Sequence, residues 1–208
     1  MSEKKYKLTD NTKTVNGITL YQIQSLKAFF NVEKDEVGGW IEKESNLSQD
    51  GNAWVYGDAW VYGDARVYGN ARVSGNAEVS GDAWVYGNAR VSGDAEVYGN
   101  ARVSGDAEVY GNAWVYGDAR VYGDAEVYGN ARVSGDAICE NNNIININTI
   151  YNITITQHHI QIGCEQKTIQ EWKEWLKSDK VIQTERNTDK FKKIEKALKA
   201  CFLLIKAR

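Results

Sequence analysis

A six-residue unit, Gly-[Asn/Asp]-Ala-x-Val-[Tyr/Ser], runs without insertion from Gly51 to Glu140. It opens as Gly51-Asn52-Ala53-Trp54-Val55-Tyr56 and decays into Gly135-Asp136-Ala137-Ile138-Cys139-Glu140, making fifteen units over ninety residues. Each unit must do the same structural job as the next, and few folds accept that period. Read as a strand, Ala53 and Val55 lie two apart and face one side, while Trp54 and Tyr56 face the other. The first side is small and apolar throughout the array, and the second carries Trp, Arg, Glu, Tyr and Ser. The Ala/Val side is therefore the core. Gly-Asn or Gly-Asp interrupts every strand with residues that tolerate turns and left-handed backbone angles. Identical corners all bend the same way, so the chain coils instead of folding back into hairpins. Stacked coils pair their strands in parallel, about 4.8 Å apart. With only Ala and Val to fill it, the interior must be narrow.

Re-phased as Val-[Tyr/Ser]-Gly-[Asn/Asp]-Ala-x, the unit resembles the bacterial hexapeptide-repeat signature, an aliphatic residue followed four positions later by a small one. The resemblance implies an all-β fold, a left-handed parallel β-helix with three hexads per coil and hence about five triangular coils. Just upstream, Gly38-Gly39-Trp40-Ile41 and Asn46-Leu47-Ser48-Gln49-Asp50-Gly51 form a junction. It is similar to that of largely uncharacterised hexapeptide-repeat proteins from phage, prophage and enteric bacterial genomes. That likeness covers residues 15–140 or so. It implies a genomic origin and no particular activity.

A solenoid exposes core and unpaired strand edges at both ends, so caps are expected. Four segments follow: an N-terminal β cap over 1–50, the solenoid over 51–140, a β extension over 141–165 and a helical segment over 166–208. In the cap, Asn16-Gly17 is a hairpin signal between Thr14-Val15 and Ile18-Thr19, followed by the alternating Leu20-Tyr21-Gln22-Ile23. Beyond Glu140 the hexad fails, and Ile144, Ile145, Ile147, Ile150, Ile153, Ile155, Ile160 and Ile162 stand among Asn, Thr and Gln. Two strands are expected around a Gln157-His158-His159 turn. Thr168-Ile169-Gln170-Glu171 fits a capping box that opens a helix through Trp172, Trp175 and Leu176. A last helix from about Asp189 sets Phe191, Ile194, Leu198, Phe202 and Ile205 on one stripe. It can dock on the solenoid end or pack against a sister chain, and docking is the favoured reading.

Charge is nearly balanced overall, 25 basic against 28 acidic, but residues 51–140 carry 6 Arg against 13 Asp/Glu. An acidic middle argues against nucleic acid as a partner, because phosphate binding needs a basic footprint. Cys139, Cys164 and Cys201 follow no regular spacing and read as reduced thiols. No apolar h-region follows the charged start, and no stretch is long and apolar enough to span a bilayer. The expectation is a cytoplasmic protein, in the host cytoplasm if phage encoded, with no membrane role.

The best-known hexapeptide-repeat proteins are acyltransferases, whose His acts as general base, usually beside a loop that interrupts the coils. This array has no His and no loop. Zinc enzymes of related fold need three His ligands, whereas this chain has two His in all, adjacent at 158 and 159. The eight corner Asp residues interchange with Asn, as a metal ligand or general acid would not allow. No catalytic residue, metal or cofactor is expected.

Every third hexad stacks on one face, so the outward ladders can be written down. The first holds Trp54, Arg72, Arg90, Glu108 and Glu126, and the second Trp60, Glu78, Glu96, Trp114 and Arg132. The third holds Arg66, Trp84, Arg102 and Arg120, flanked by Tyr68, Tyr86 and Tyr122. Among these main ladders, the third alone combines three Arg with no Glu. Arg, Trp and Tyr are the residues of interface hot spots, so these seven are the expected partner-binding residues. The reading is a non-enzymatic binding protein with a protein partner, itself a homo-oligomer. The phage resemblance implies counter-defence, by inhibiting a host immune protein. An acyltransferase-like enzyme and a self-assembling structural spacer are the rival readings.

Overall fold

The computed structural model describes residues 3–140, 145–148, 152–156, 158–163, 165–181, 184–186 and 188–206. Strands β1 (Tyr6–Val15) and β2 (Ile18–Ser25) pair antiparallel across the Asn16-Gly17 turn, where φ is 52° and 81°. Strand β3 (Val37–Ile41) continues that sheet antiparallel to β2, then lies parallel to the first repeat strand of the second face, with Trp40 opposite Trp60. The hairpin cap thereby passes its sheet into the solenoid.

Fifteen short strands follow, from β4 (Trp54–Val55) to β18 (Ile138–Glu140). They lie in three parallel sheets, and each residue pairs with its equivalent three hexads away, as Arg90 does with Arg72 and Glu108. The array makes the five expected coils. An incomplete turn precedes them, in which Trp40 and Ile41 sit over Trp60 and Val61, and Leu47 bridges to Val67. The solenoid thus has about six turns. Gly39 is what lets this turn close down, since a Cβ there would lie 2.6 Å from the Ala59 carbonyl oxygen.

Every Ala and Val that the hexad directs inward, from Ala53 to Ala137, is at most 1% exposed, and Cys139 takes the last Val position. Only the glycine of each corner is left-handed, with φ between 58° and 72° along the array. At Gly93 a Cβ would stand 2.9 Å from the backbone nitrogen of Gly111, so the corner excludes a side chain on two counts. Where an Asn stands beside the glycine, it has a separate task. Asn52 donates to Asn70 at 2.9 Å, Asn70 to Asn88 at 3.0 Å and Asn88 to Asp106 at 2.9 Å. Each amide ties one coil to the next.

One residue of the main ladders is not outward in the finished molecule. Trp54, first in the first-face ladder, is fully buried beneath the cap, edge-on to Phe29 (5.4 Å) and Tyr6 (6.1 Å).

The C-terminal segment is a four-stranded antiparallel sheet, β19 (Ile145–Asn148), β20 (Asn152–Ile155), β21 (His159–Ile162) and β22 (Glu165–Thr168). The two expected strands are its central pair. Of the residues singled out here from sequence, Ile144, Ile150, Gln157 and Cys164 lie outside the described residues. Helix α1 (Ile169–Lys177) opens on the expected box: Thr168 Oγ1 accepts from Glu171 N (3.1 Å) and the Glu171 carboxylate accepts from Thr168 N (2.7 Å). Helix α2 (Asp189–Lys206) buries Phe191, Ile194 and Leu198 in a second core, against Ile153, Ile160, Trp172 and Trp175. Among the described residues helix α2 thus packs on the sheet and on α1 and not on the solenoid end itself, and it is the sheet that meets the last coil. Arg132 N donates to Thr154 Oγ1 (3.2 Å), and Ser134 Oγ donates to Gln161 (3.2 Å) and Gln166 (2.9 Å).

Candidate functional site

On the third face Arg66, Trp84, Arg102 and Arg120 stand in register, followed by Ile138. Each outward side chain shares its strand with a Val locked in the core, which fixes its height and direction. The Arg66 and Arg102 guanidinium groups lie 5.9 and 5.2 Å from the Trp84 ring centroid, one from each neighbouring coil. Exposed contacts of this kind contribute about 0.5–1 kcal/mol each. The Tyr68 and Tyr86 rings stack in parallel at 5.0 Å, and Tyr68 also meets Trp84 edge-on at 6.2 Å. Burial, and next the Tyr86 phenol, raise the Tyr68 hydroxyl above the usual range. Tyr122 donates to Glu140 at 3.3 Å.

Two open grooves result. The first, about 600 Å³, is lined by Arg66, Tyr68 and Trp84, with Leu47, Ser48 and Gln49 of the leading turn. The second, about 490 Å³, is lined by Tyr86, Arg102, Arg120 and Tyr122. The seven residues selected from sequence all line one groove or the other. The contribution of 47–49 was missed, because a degenerate turn outside the hexad pattern offers no register signal.

The arginines of this face have no carboxylate within 4 Å among the described residues. The other faces differ. On the first, Arg90 pairs with Glu108 at 3.0 Å, Arg72 lies 4.4 Å over the Phe30 ring, and Tyr110 donates to Glu126 at 3.2 Å. On the second, Tyr62 donates to Glu78, and Glu78 stacks directly on Glu96. Burial, and then the Glu78 charge, raise the Glu96 carboxyl.

The imidazoles lie elsewhere. His158 is exposed, and His159 places Nε2 at 3.4 Å from Asp136 Oδ1 while its Nδ1 is buried with no partner among the described residues. Among the described residues no cluster of three His, Cys, Asp or Glu could hold a metal ion. Cys139 and Cys201 are free and buried, and desolvation pushes their thiols up to about 12 and about 11. No helix among the described residues is long and apolar enough to cross a membrane.

Three stacked ladders over an Ala/Val prism define a β-solenoid repeat protein. Its repeats match the family model "YdcK Beta solenoid repeat" at residues 65–81, 71–87, 83–98, 95–111 and 125–140. The chain is also similar to the "Uncharacterized acetyltransferase YdcK" of Escherichia coli (strain K12), with 33% identity over 61 residues. That match covers 26% of this chain and 19% of the relative, so the chain spans about a fifth of the curated protein's length.

Proposed function

We propose that this is a non-enzymatic β-solenoid binding protein that acts by protein–protein contact through the third face. The observation that carries the reading is the run of three arginines with no carboxylate within 4 Å among the described residues, interleaved with Trp84 and two tyrosine-lined grooves. Un-neutralised Arg steers an acidic partner and sets its orientation, and Trp84 supplies an anchor that gains when desolvated. The likeness of the Gly38–Gly51 junction to phage and prophage proteins supports counter-defence, the occlusion of a host immune protein in the cytoplasm.

Arg102→Glu with Arg120→Glu is expected to weaken partner binding about tenfold or more, with the fold intact because both residues are exposed. The control is Glu78→Arg with Glu96→Arg on the second face, away from both grooves, which is expected to cost little. The partner is captured from host lysate on the wild-type protein, identified by mass spectrometry and titrated by calorimetry against both variants. Equal losses would mean that total charge matters and no face is special.

The name of the Escherichia coli relative favours a second reading, an acyltransferase-like enzyme. Such an enzyme needs a general base, and the imidazole placed against a carboxylate is His159, beside Asp136. Changing His158 and His159 to Ala is expected to leave binding within a few-fold. Abolished activity in a variant that still melts like wild type would move the assignment to the enzyme.

A further inference from the structure

The sixth position of the hexad sets a tyrosine or a serine on almost every coil, and on the third face the order is Tyr68, Tyr86, Ser104, Tyr122 and last Glu140. Where two tyrosines follow one another their rings stack, at 5.0 Å for Tyr68 and Tyr86, 5.1 Å for Tyr98 and Tyr116 and 5.4 Å for Tyr110 and Tyr128. Ser104 interrupts the third-face stack for one coil. Tyr86 and Tyr122 therefore stand two coil heights apart, about 10 Å, which leaves room between them for one planar ring with a stacking contact on each side. The second groove of this face is that opening: Tyr86 and Tyr122 are its walls, Ser104 and Gly105 its floor, and Arg102 and Arg120 its side. Both arginines are exposed, and neither has a carboxylate within 4 Å among the described residues. The equivalent gap on the second face is shut. Ser80 lies between Tyr62 and Tyr98 in the same way, but it is only 6% exposed, and Tyr62 and Ser80 both donate to Glu78. On the first face Ser74 and Ser92 follow one another, so the gap is too wide for one ring to touch both sides, and Arg90 beside it is paired with Glu108.

We propose that the slot over Ser104 binds an aromatic side chain of the protein partner, presented by an acidic segment whose carboxylate next to the ring reaches Arg102 and Arg120. This rests on the reading of the third face as a protein-binding surface and names the chemistry of its occupant. The incoming ring restores the tyrosine stack that Ser104 interrupts, standing to Tyr86 and Tyr122 much as Tyr68 stands to Tyr86. A side chain stacked on both faces sheds its water, and desolvated aromatic anchors of this kind dominate protein interfaces. The arginines supply charge on one side of the slot. On the other, Asp106 and Asp124 follow the glycines Gly105 and Gly123 round the corner, so a carboxylate is drawn to the arginine side and the direction of the segment is set. A nucleic acid strand also carries planar rings, but its phosphates would run along an array with 13 Asp/Glu against 6 Arg.

Ser104→Tyr tests this, because it fills the slot with the chain's own ring and asks of the fold only what Tyr86 does one coil earlier. The probe is a capped peptide, Gly-Tyr-Glu-Glu-Gly, titrated to millimolar concentration against the full-length protein by ligand-observed nuclear magnetic resonance, with a melting curve for each variant. Wild type is expected to bind saturably. Ser104→Tyr, Arg102→Glu with Arg120→Glu, and leucine in place of the peptide's tyrosine should each weaken binding about tenfold or more. Tyr86→Leu, which removes a wall instead of filling the slot, should weaken it several-fold, and keeps the test decisive if Ser104→Tyr misfolds. Ser92→Tyr makes the same change on the first face and should leave binding as in wild type. No saturable binding, binding indifferent to Ser104→Tyr or Tyr86→Leu in folded protein, or equal binding of the leucine peptide overturns the proposal. Adenosine monophosphate bound more tightly than the peptide overturns the choice of a protein segment. A partner captured on the third face separates the two readings. If Arg102→Glu with Arg120→Glu loses it and Ser104→Tyr does not, the slot falls and the third-face reading stands. If neither loses it, both fall.

Discussion

Val97→Asp is expected to abolish the cooperative melt of the solenoid and most of its β-sheet circular dichroism. Val97 is fully buried in the third coil, with Val79 and Val115 as its neighbours in the sheet. The surrounding interior offers only Ala and Val side chains and no polar partner. A carboxylate there must either remain charged without a counter-ion or take up a proton and stay without a hydrogen bond, and each option costs several kcal/mol. The architecture amplifies the loss. Coils touch only their immediate neighbours, so a break in the third of five severs the two ends from each other. Val97→Ala separates packing from charge: it removes two methyl groups and should cost roughly 2 kcal/mol while leaving a cooperative transition. A Val97→Asp protein that melted like wild type would mean that the Ala/Val side does not face inward.

The array was legible from sequence because its signal is redundant. Inward alternation and left-handed corners each repeat fifteen times, the three ladders have five rungs each, and every repeat constrains the same period. Reading failed where the structure departs from that period. The leading turn escaped because Trp40 is twenty residues from its partner Trp60 instead of eighteen, and no count of hexads finds it. Trp54 obeys the outward rule locally, but a cap folded from residues 6 to 38 lies over it, and alternation carries no information about that contact. The Asn/Asp interchange at the corners looked permissive because the backbone there asks only for glycine. Side chains make the distinction: Asn can donate to the next coil and Asp can only accept, so Asn76 and Asn100 sit one coil ahead of Asp94 and Asp118, each donating at 2.9 Å. The seven third-face residues could be selected because stacking order follows directly from the period. What binds them does not follow, since a ladder that steadies neighbouring coils and a ladder that meets a partner use the same side chains.

Asn46→Leu is expected to destabilise the protein by about 3 kcal/mol or more, although Asn46 touches none of the ladders. The reason lies in the direction of the hydrogen bonds. Each coil donates its N–H groups forward, as Trp54 N does to Ala71 O at 3.0 Å, so the first full coil has carbonyls with no coil ahead to supply them. Backbone of the leading turn serves three of them: Trp40 N reaches Ala59 O (2.9 Å), Glu42 N reaches Val61 O (3.1 Å) and Ser48 N reaches Val67 O (2.9 Å). Side chains serve others on this edge. Lys5, its ammonium pushed down to about 8 by burial, donates to Ala53 O at 2.8 Å. Asn46, fully buried, donates to Gly63 O (3.0 Å) and Ala65 O (2.9 Å) while accepting from Lys43 N (2.9 Å). Leucine keeps the same branched outline, with more bulk, and leaves all three groups without a partner, at about 1–3 kcal/mol for each one kept from water. Asn70→Leu is the comparison: that residue is exposed, and its amide bonds join one Asn to the next where water can replace them, so it should cost well under half as much. Chemical denaturation of both variants decides the matter. Equal midpoints would mean that the leading edge of the solenoid is solvated and that its stability does not depend on this side chain.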